Sequence, residues 1–255
     1  NKGKPSATVG VGDRASMTNY VLVHGAWHGG WCWSRVVPLL RNAGHEAYAV
    51  TLTGVGERAH LLSRDIRLKT HIQDVLGVIR SEELQDVVLV GHSYAGLVIT
   101  GVADRLLQEN GDIVRHLVYV DAVTPHPGES WSSQHASEVI EERLRAAQQS
   151  GGIAIPPPDA SVFGLENADR IWVNRRQTPQ PFGVYHEGLE FDDARVSRLP
   201  RTFIDCTSPP LATIAEMRKR VRAEPGWRVV EIPTGHDPMI SSPGDLVECL
   251  LGCVS

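Results

Sequence analysis

The sequence predicts one α/β domain built on a mostly parallel central sheet that is flanked by helices. Six apolar, β-branched runs recur along the chain, and each is bounded by Gly, Pro or polar residues, as buried strands are. Helical patterns separate several of the runs, and such alternation of strand and helix favours parallel pairing. The candidate strands are residues 20–23, 47–52, 87–90, 117–120, 202–204 and 227–232.

Three patterns predict helices between and after these strands. A largely apolar stretch at residues 97–107 is typical of a buried helix. Near the end of the chain, Ser242 followed by Pro243 indicates the N-cap and first turn of a last helix. Apolar residues spaced i, i+3, i+4 and i+7 predict a further helix, because this spacing places them on one face. These residues are Ile72, Val75, Leu76 and Ile79.

Residues 124–200 interrupt the alternation of strand and helix. This stretch contains prolines at 156–158, the tryptophans Trp131 and Trp172, and one helical pattern around residues 139–147. A connection of that length between two sheet strands is unlike an ordinary loop. We therefore interpret residues 124–200 as a cap inserted over the carboxyl edge of the sheet, where ligands bind in open α/β sheets.

Length and composition are those of one globular domain. The chain has 255 residues, of which 42% are hydrophobic and 22% charged. These values exclude disordered, collagen-like and coiled-coil proteins. The net charge is -5, and the basic residues do not cluster into the stripe that a phosphate backbone requires, so nucleic acid is not an expected partner.

Residues 1–16 are polar and Gly-rich and stop directly before Met17, so we interpret them as an artificial leader in front of one domain at 17–255. No apolar run approaches the roughly 20 residues of a membrane-spanning helix, and no secretory signal is evident. The sequence therefore predicts a soluble, cytoplasmic protein with no membrane partner. Its four cysteines form no C-x-x-C pair and are interpreted as reduced packing residues.

Ser93 is the predicted catalytic nucleophile. It lies in the segment VVLVGHSYAG at residues 87–96, where a buried strand passes through a turn of small residues into an apolar helix. This is the context of a nucleophile elbow, whose sharp turn holds the serine hydroxyl clear of the backbone. Gly91 and Ala95 suit the close approach of strand and helix, and Ala95 adds only a methyl group to the second glycine of the usual motif. The alternative is a serine that only caps the helix.

His236 is the predicted general base. A serine hydroxyl is a weak nucleophile and needs an adjacent base to take its proton. His236 lies in the segment PTGHDP at residues 233–238, between a predicted strand and the last helix, and therefore at the same sheet edge as Ser93. The alternative is a histidine of a surface loop without a chemical role.

A Gly-rich segment, VHGAWHGGW, directly follows the first predicted strand. Such a turn leaves backbone N–H groups free, and we predict that the amides of Ala26 and Tyr94 together bind a developing oxyanion. His24 and His28 in this turn are interpreted as packing residues, because no third ligand for a metal ion lies nearby. No metal is therefore expected.

Four segments of the chain, in their order and spacing, resemble the α/β-hydrolase superfamily and in particular its small branch of plant methylesterases, hydroxynitrile lyases and related bacterial esterases. The resemblance covers residues 17–255. It implies an α/β-hydrolase fold with a small cap, ester hydrolysis through an acyl-enzyme intermediate, and no cofactor. The segments are VLVHGAWHGGWCW, TLTGVGERAHLL, VVLVGHSYAGLV and PTGHDPM.

Two positions separate this chain from the lyases of that branch. The lyases place a threonine where this chain has Gly25 and a lysine where it has Asp237. Cyanide departure in the lyases relies on the charge of that lysine, so its absence favours an esterase.

A catalytic serine and histidine act with a carboxylate that orients the histidine, and together they form a triad. The position of this carboxylate in the chain departs from the family pattern. Aligned on the family's C-T-x-D segment, residues 206–209 put Pro209, which cannot serve, in the place of the aspartate. Asp121 ends the preceding predicted strand, where haloalkane dehalogenases of the same superfamily can carry their acid, and we predict that it is the acid here. Asp205 is the reserve, because strand alternation can turn it away from the histidine, and Asp237 is a third candidate. The alternative role for Asp121 is to cap the following turn.

These features predict a serine carboxylesterase that hydrolyses small acyl or aryl esters. Ser93 attacks the ester carbonyl after His236 takes its proton, and Trp27 and Trp131 are predicted to line a modest substrate pocket. A small-molecule ester is the expected partner. Two alternatives stay open, namely hydroxynitrile lyase or carbon–carbon bond hydrolase chemistry on the same triad, and a ligand receptor that keeps the fold without turnover.

Overall fold

The computed structural model describes residues 16–109 and 111–255. Residues 1–15, nearly all of the segment that we interpret as a leader, lie outside the described residues. The strands of the described chain are β1 Asn19–Val23, β2 Glu46–Val50, β3 Val87–His92, β4 Val114–Val120, β5 Ala154–Ile155, β6 Gln180–Pro181, β7 Arg201–Cys206 and β8 Trp227–Ile232.

Six of these strands form one sheet in the order β2, β1, β3, β4, β7, β8. All neighbouring strands in it are parallel, which confirms the predicted sheet. Because parallel strands end at the same edge, the loops that follow β1, β3, β4, β7 and β8 converge there. The short strands β5 and β6 pair antiparallel in a separate ribbon.

The strand bounds differ from the predicted ones where polar residues interrupt the apolar pattern. Strand β4 begins at Val114 rather than at Leu117. Within it, His116 Nε2 lies 2.8 Å from Thr202 Oγ1 on the neighbouring strand, so this polar side chain is paired inside the sheet. Strand β2 ends at Val50, because the chain then turns and the Leu52 N–H donates to a side chain of the turn after β1 rather than to a strand.

Helices cover the sheet, and the predicted stretch at residues 97–107 is the central part of a longer helix that is buried over its first ten residues. Ser242 is the N-cap of the last helix as predicted, although its side chain makes no capping hydrogen bond. Within the described residues, no helix has the length and apolarity needed to span a bilayer. The helices are α1 Val37–Asn42, α2 Leu68–Ser81, α3 Ala95–Glu109, α4 Ser137–Gln148, α5 Asn167–Asn174, α6 Asp193–Val196, α7 Ala215–Ala223, α8 Pro238–Ser241 and α9 Pro243–Gly252.

The chain between β4 and β7 holds α4, α5, α6 and the β5–β6 ribbon, and we propose that it acts as the cap expected from the sequence. Hydrogen bonds of Trp27 connect this segment to the turn after β1. The Trp27 N–H donates to Gln180 Oε1 at 3.0 Å, and its indole Nε1–H donates to the Ile155 carbonyl at 3.0 Å. Both strands of the ribbon are thus bonded to one residue of the sheet edge.

Candidate active site

Ser93 lies in the sharp turn between β3 and α3. Its backbone φ is +55°, a left-handed conformation that residues other than glycine seldom adopt. Strand and helix approach so closely that a Cβ atom at Gly91 would lie 2.8 Å from the Ala95 carbonyl oxygen. Ser93 itself donates its N–H to the Val120 carbonyl at 3.2 Å, which ties the turn to β4. The geometry is that of the predicted elbow.

Ser93 and His236 line one cavity of about 450 Å³ at the carboxyl edge of the sheet. Trp27 and Trp131, the two predicted pocket residues, line it as well. Their rings meet edge to face with centroids 5.7 Å apart. Much of the remaining wall comes from the segment between β4 and β7, which includes Phe163 and the prolines at 156–158.

The structure brings Asp121 to His236. His236 Nδ1 lies 2.7 Å from Asp121 Oδ2, and both side chains are almost fully buried. Asp121 follows β4 with a φ of +44°, and its N–H donates to the Ile204 carbonyl at 2.8 Å. Its second oxygen, Oδ1, accepts from the Cys206 N–H at 3.3 Å. The carboxylate is therefore held from two sides and faces the histidine.

Asp205, the reserve acid, has different partners. Its Oδ1 accepts from Arg218 Nε at 2.8 Å, and its Oδ2 accepts from Arg222 Nη2 at 2.7 Å. The same Arg218 reaches Asp121 Oδ1 at 3.4 Å through Nη2. Asp205 thus contacts the arginine behind the Asp121 carboxylate rather than the histidine.

Asp237, the third candidate, pairs with a histidine of the turn after β1. Its Oδ2 lies 2.7 Å from His28 Nε2, and both groups are buried. His92 Nε2 lies 3.4 Å from Asp237 Oδ1 and donates to the His236 carbonyl oxygen at 2.7 Å. Asp237 therefore links the turn after β1 to the loop that carries His236.

The turn after β1 is fixed by its own histidines. His24 Nδ1 donates to the Gly25 carbonyl oxygen at 2.8 Å, and His24 Nε2 accepts from the Leu52 N–H at 3.0 Å. The Gly25 carbonyl belongs to the same peptide unit as the Ala26 N–H, so His24 sets the direction of that amide. A Cβ at Gly25 would lie 3.0 Å from Ser93 Cβ, which places this peptide against the elbow.

The two backbone N–H groups that are predicted to bind the oxyanion have no acceptor within the described protein. Within the described part of the chain, neither the Ala26 N–H nor the Tyr94 N–H donates to another residue. Tyr94 is fixed through its side chain, because its hydroxyl lies 3.0 Å from His71 Nδ1. His28 adds a further constraint, since its Nδ1 lies 2.9 Å from the Ala26 carbonyl oxygen.

The buried histidines differ in the direction in which their surroundings shift the pKa. Burial lowers the pKa of His24 to about 3, and burial together with the neighbouring His236 lowers that of His92 to about 3, so both are neutral. Burial acts in the same direction on His28, but the charge and hydrogen bond of Asp237 outweigh it and raise the pKa of His28. Burial opposes ionisation of Asp237, yet His28 lowers the pKa of that carboxyl to about 2.

One buried cluster has donors close enough to hold a metal ion. The ligand atoms of His92, His236 and Asp237 lie within 4.8 Å of one another. One atom of each residue already has a partner: His92 Nε2 contacts the His236 carbonyl, His236 Nδ1 contacts Asp121, and Asp237 Oδ2 contacts His28. These contacts fix the position of the loop that carries His236.

Arg143 is a cavity residue that sequence reasoning missed. It lies on α4 and lines the cavity with Ser93. The residues of α4 that line the cavity follow the i, i+3, i+4, i+7 spacing of one helix face, which is a signal in the sequence, but their mixed polarity hid it from a search for apolar stripes. They are Val139, Glu142, Arg143 and Ala146.

The strand order, the elbow and the groups at the strand ends are those of an α/β-hydrolase. The chain belongs to the alpha/beta hydrolase family, whose pattern matches residues 20–248.

Individual proteins that resemble this chain are also hydrolases. The chain is 41% identical to the carbendazim hydrolyzing esterase of Nocardioides sp. (strain SG-4G), over 92% of this chain and 98% of the relative. It is 28% identical to the pyrethroid hydrolase of Sphingobium wenxiniae, over 92% and 87% of the two chains. Among solved structures, an extracellular alpha/beta-hydrolase from a Paenibacillus species superposes with a TM-score of 0.81 at 22% identity, covering 92% of this chain and 98% of that one. The similarity to this Paenibacillus structure concerns the fold alone.

Proposed function

We propose that this carboxylic ester hydrolase uses Ser93 as its nucleophile and hydrolyses small acyl or aryl esters through an acyl-enzyme intermediate. The proposal rests chiefly on the 2.7 Å contact between His236 Nδ1 and Asp121 Oδ2, in a histidine that shares a cavity with Ser93. With Nδ1 protonated and facing the carboxylate, Nε2 is the ring atom that can accept the serine proton. The esterase that is 41% identical supports the same class of reaction.

In the first half of the reaction, His236 Nε2 takes the proton of Ser93 as Oγ attacks the ester carbonyl. The negative charge that develops on the carbonyl oxygen is stabilised by the amides of Ala26 and Tyr94. His236 then gives its proton to the departing alcohol. In the second half, His236 activates a water molecule, which releases the acid and restores the serine.

The shape of the cavity supports small substrates. A volume of about 450 Å³ lies at the lower end of the range for small-molecule pockets. Trp27, Trp131 and Phe163 present aromatic surface to it, which favours flat or short apolar acyl and aryl groups. The name of the 41% identical relative adds carbendazim as a substrate to be tested.

The test compares wild type with Ser93→Ala on p-nitrophenyl acetate, p-nitrophenyl butyrate and carbendazim. We expect the wild type to release many product molecules per protein molecule, which a receptor without turnover would not do. Loss of the nucleophile lowers kcat by roughly 10⁴ to 10⁶-fold. Ser197→Ala, at an exposed position, is the control and keeps wild-type rates.

A second readout identifies the nucleophile directly. A serine-reactive phosphonate adds its mass to the peptide that contains Ser93 in the wild type and in Ser197→Ala, and adds none in Ser93→Ala. Equal hydrolysis rates in wild type and Ser93→Ala would overturn the proposal.

A further inference from the structure

We propose that Arg143 and the aromatic rings around it form a recognition subsite, which selects flat aromatic esters that carry a hydrogen-bond acceptor remote from the scissile bond. This inference deepens the proposed function and rests on it, because it names the class of ester that the same cavity prefers.

The guanidinium of Arg143 lies close to three aromatic rings. Arg143 Cζ lies 4.9 Å from the ring centroid of Trp131, 5.0 Å from that of Trp27 and 5.7 Å from that of Tyr185. Two of these rings line the cavity together with Ser93 and His236. The half-buried cation therefore lies against the aromatic walls of the cavity.

This cation has no charged partner among the described residues. In residues 16–109 and 111–255, Arg143 makes no ion pair, and its buried Nη1 atom has no hydrogen-bond acceptor. Aromatic faces stabilise a guanidinium from above but accept none of its in-plane N–H groups. A buried donor without an acceptor is costly, and native structures seldom keep one without a reason.

The side chains around Arg143 include a neutral histidine and an exposed carboxylate. His135, which lines the cavity, is neutral, because burial and the charge of Arg143 lower its pKa to about 3. Glu142 is the carboxylate next to Arg143 in the chain, but its side chain is exposed and forms no ion pair with the guanidinium. Glu142 also lines the cavity and attracts the guanidinium electrostatically. Within the described chain, however, Arg143 has no salt-bridge partner, so its N–H groups remain without a charged acceptor.

A ligand completes this arrangement when it supplies an acceptor in the plane of the guanidinium and a flat ring for the tryptophans. A carboxylate, a carbonyl oxygen or a ring nitrogen has this chemistry. A purely apolar ester satisfies the aromatic walls but offers the guanidinium no acceptor. Selection between the two kinds of ester therefore depends on Arg143.

The test measures kcat/KM for three methyl esters of similar size. Methyl 4-methylbenzoate has no remote acceptor, methyl 4-acetylbenzoate has a neutral one, and monomethyl terephthalate has a carboxylate. We expect the wild type to prefer an acceptor-bearing ester over methyl 4-methylbenzoate by about tenfold or more, the size of one charge-assisted hydrogen bond. A preference shared by both acceptors assigns the subsite to acceptors in general, and one confined to the carboxylate assigns it to anionic esters.

Arg143→Met removes the donors at similar length, and we expect its preference to fall to about one. Arg143→Lys keeps the charge without the planar fork and gives an intermediate preference; it also provides the test if the Met variant does not fold. Arg145→Met is the matched control, because Arg145 is exposed on the same helix, and it keeps the wild-type preference. A wild type without preference, or an unchanged preference in both Arg143 variants, overturns the subsite.

Binding without turnover separates this proposal from the catalytic one. Monomethyl terephthalate is titrated calorimetrically into Ser93→Ala and into Ser93→Ala/Arg143→Met. Tighter binding to the first protein by about tenfold supports the subsite whatever the role of Ser93 proves to be. Equal binding contradicts the subsite and leaves the proposed reaction untouched.

Discussion

Asp121, the proposed acid of the triad, lies away from the usual location of that acid, and its surroundings explain how a carboxylate can serve from the end of β4. The neighbouring strand β7 is followed by Pro209 where the family carries an aspartate. Because β4 and β7 are adjacent, a carboxylate at the end of β4 reaches the same histidine. The backbone of Cys206 and the side chain of Arg218 hold its second oxygen.

We predict that Asp121→Asn lowers kcat by roughly 10³ to 10⁴-fold without unfolding the protein. The amide is similar in size to the carboxylate, but it can donate to His236 Nδ1 and so favour the wrong ring tautomer. Steady-state kinetics on p-nitrophenyl acetate measures the loss, and circular dichroism checks the fold.

Asp205→Asn is the matched comparison, because Asp205 is also buried but contacts Arg218 and Arg222. We expect it to lower the free energy of unfolding and to affect kcat far less than Asp121→Asn. The opposite result, a nearly normal Asp121→Asn beside an inactive Asp205→Asn, would move the acid to Asp205.

The His28 and Asp237 pair predicts a pH dependence of stability. The pKa of His28 is raised above its ordinary 6.5, so its contribution is fully present below about pH 6.5 and is lost as pH rises through the folded-state pKa. The pKa of Asp237 is lowered from 3.8 to about 2, so its contribution is present above about pH 4 and is lost as pH falls toward 2. Between these limits the pair stabilises the folded state.

We therefore expect Asp237→Asn to lower the free energy of unfolding most at pH 5 to 6, and its difference from wild type to shrink at alkaline pH. Urea unfolding across this pH range measures the difference. Asp65→Asn, at an exposed position, is the control and follows the wild-type curve. A constant difference between wild type and Asp237→Asn at every pH would show that the pair is not ionised in the folded protein.

At the scale of elements, the contact between α3 and the loop after β4 decides where Ser93 stands. A Cβ at Gly96, in the first turn of α3, would lie 1.8 Å from the Val123 carbonyl oxygen. Backbone atoms cannot yield as a flexible side chain can, so the helix or the loop must shift. Because Ser93 and Asp121 adjoin these two segments, such a shift moves both residues.

Gly96→Ala is therefore predicted to lower the free energy of unfolding by about 2 kcal/mol or more and to reduce kcat, because overpacking forces backbone shifts. Gly77→Ala is the matched control, since Gly77 is exposed within α2 and a Cβ there would meet no atom within 4 Å. It should raise the melting temperature by about 2 to 4 °C through helix propensity alone. Differential scanning calorimetry compares the two variants, and equal melting temperatures would contradict the role given to Gly96.

At the scale of the whole molecule, the candidate site depends on segments that are far apart in the chain. Ser93 follows β3, Asp121 follows β4 and His236 follows β8. The parallel sheet brings their loops to one edge, and the segment between β4 and β7 adds the aromatic and cationic wall. The subsite around Arg143 consequently belongs to neither part alone, because Trp27 comes from the sheet edge and Arg143 from α4.

The sequence by itself determined the features that local chemistry specifies. Alternating apolar runs and helical stripes predicted the parallel sheet, and small residues around Ser93 predicted the elbow, because a strand that turns sharply into a helix tolerates little else there. The loop of His236 was recognisable from its place between the last strand and the last helix. For the acid, the sequence offered three candidates ranked by position, with Asp121 first.

Only the tertiary structure decided how these candidates are partnered. Asp121 and His236 are 115 positions apart and His28 and Asp237 are 209 apart, so no local pattern could show which carboxylate faces which ring. Arg143 lay on a helix face of mixed polarity, which periodicity does not distinguish from a solvated surface. Whether such a cation is solvated or buried among tryptophans depends on what packs against the helix, and that is fixed by the fold as a whole.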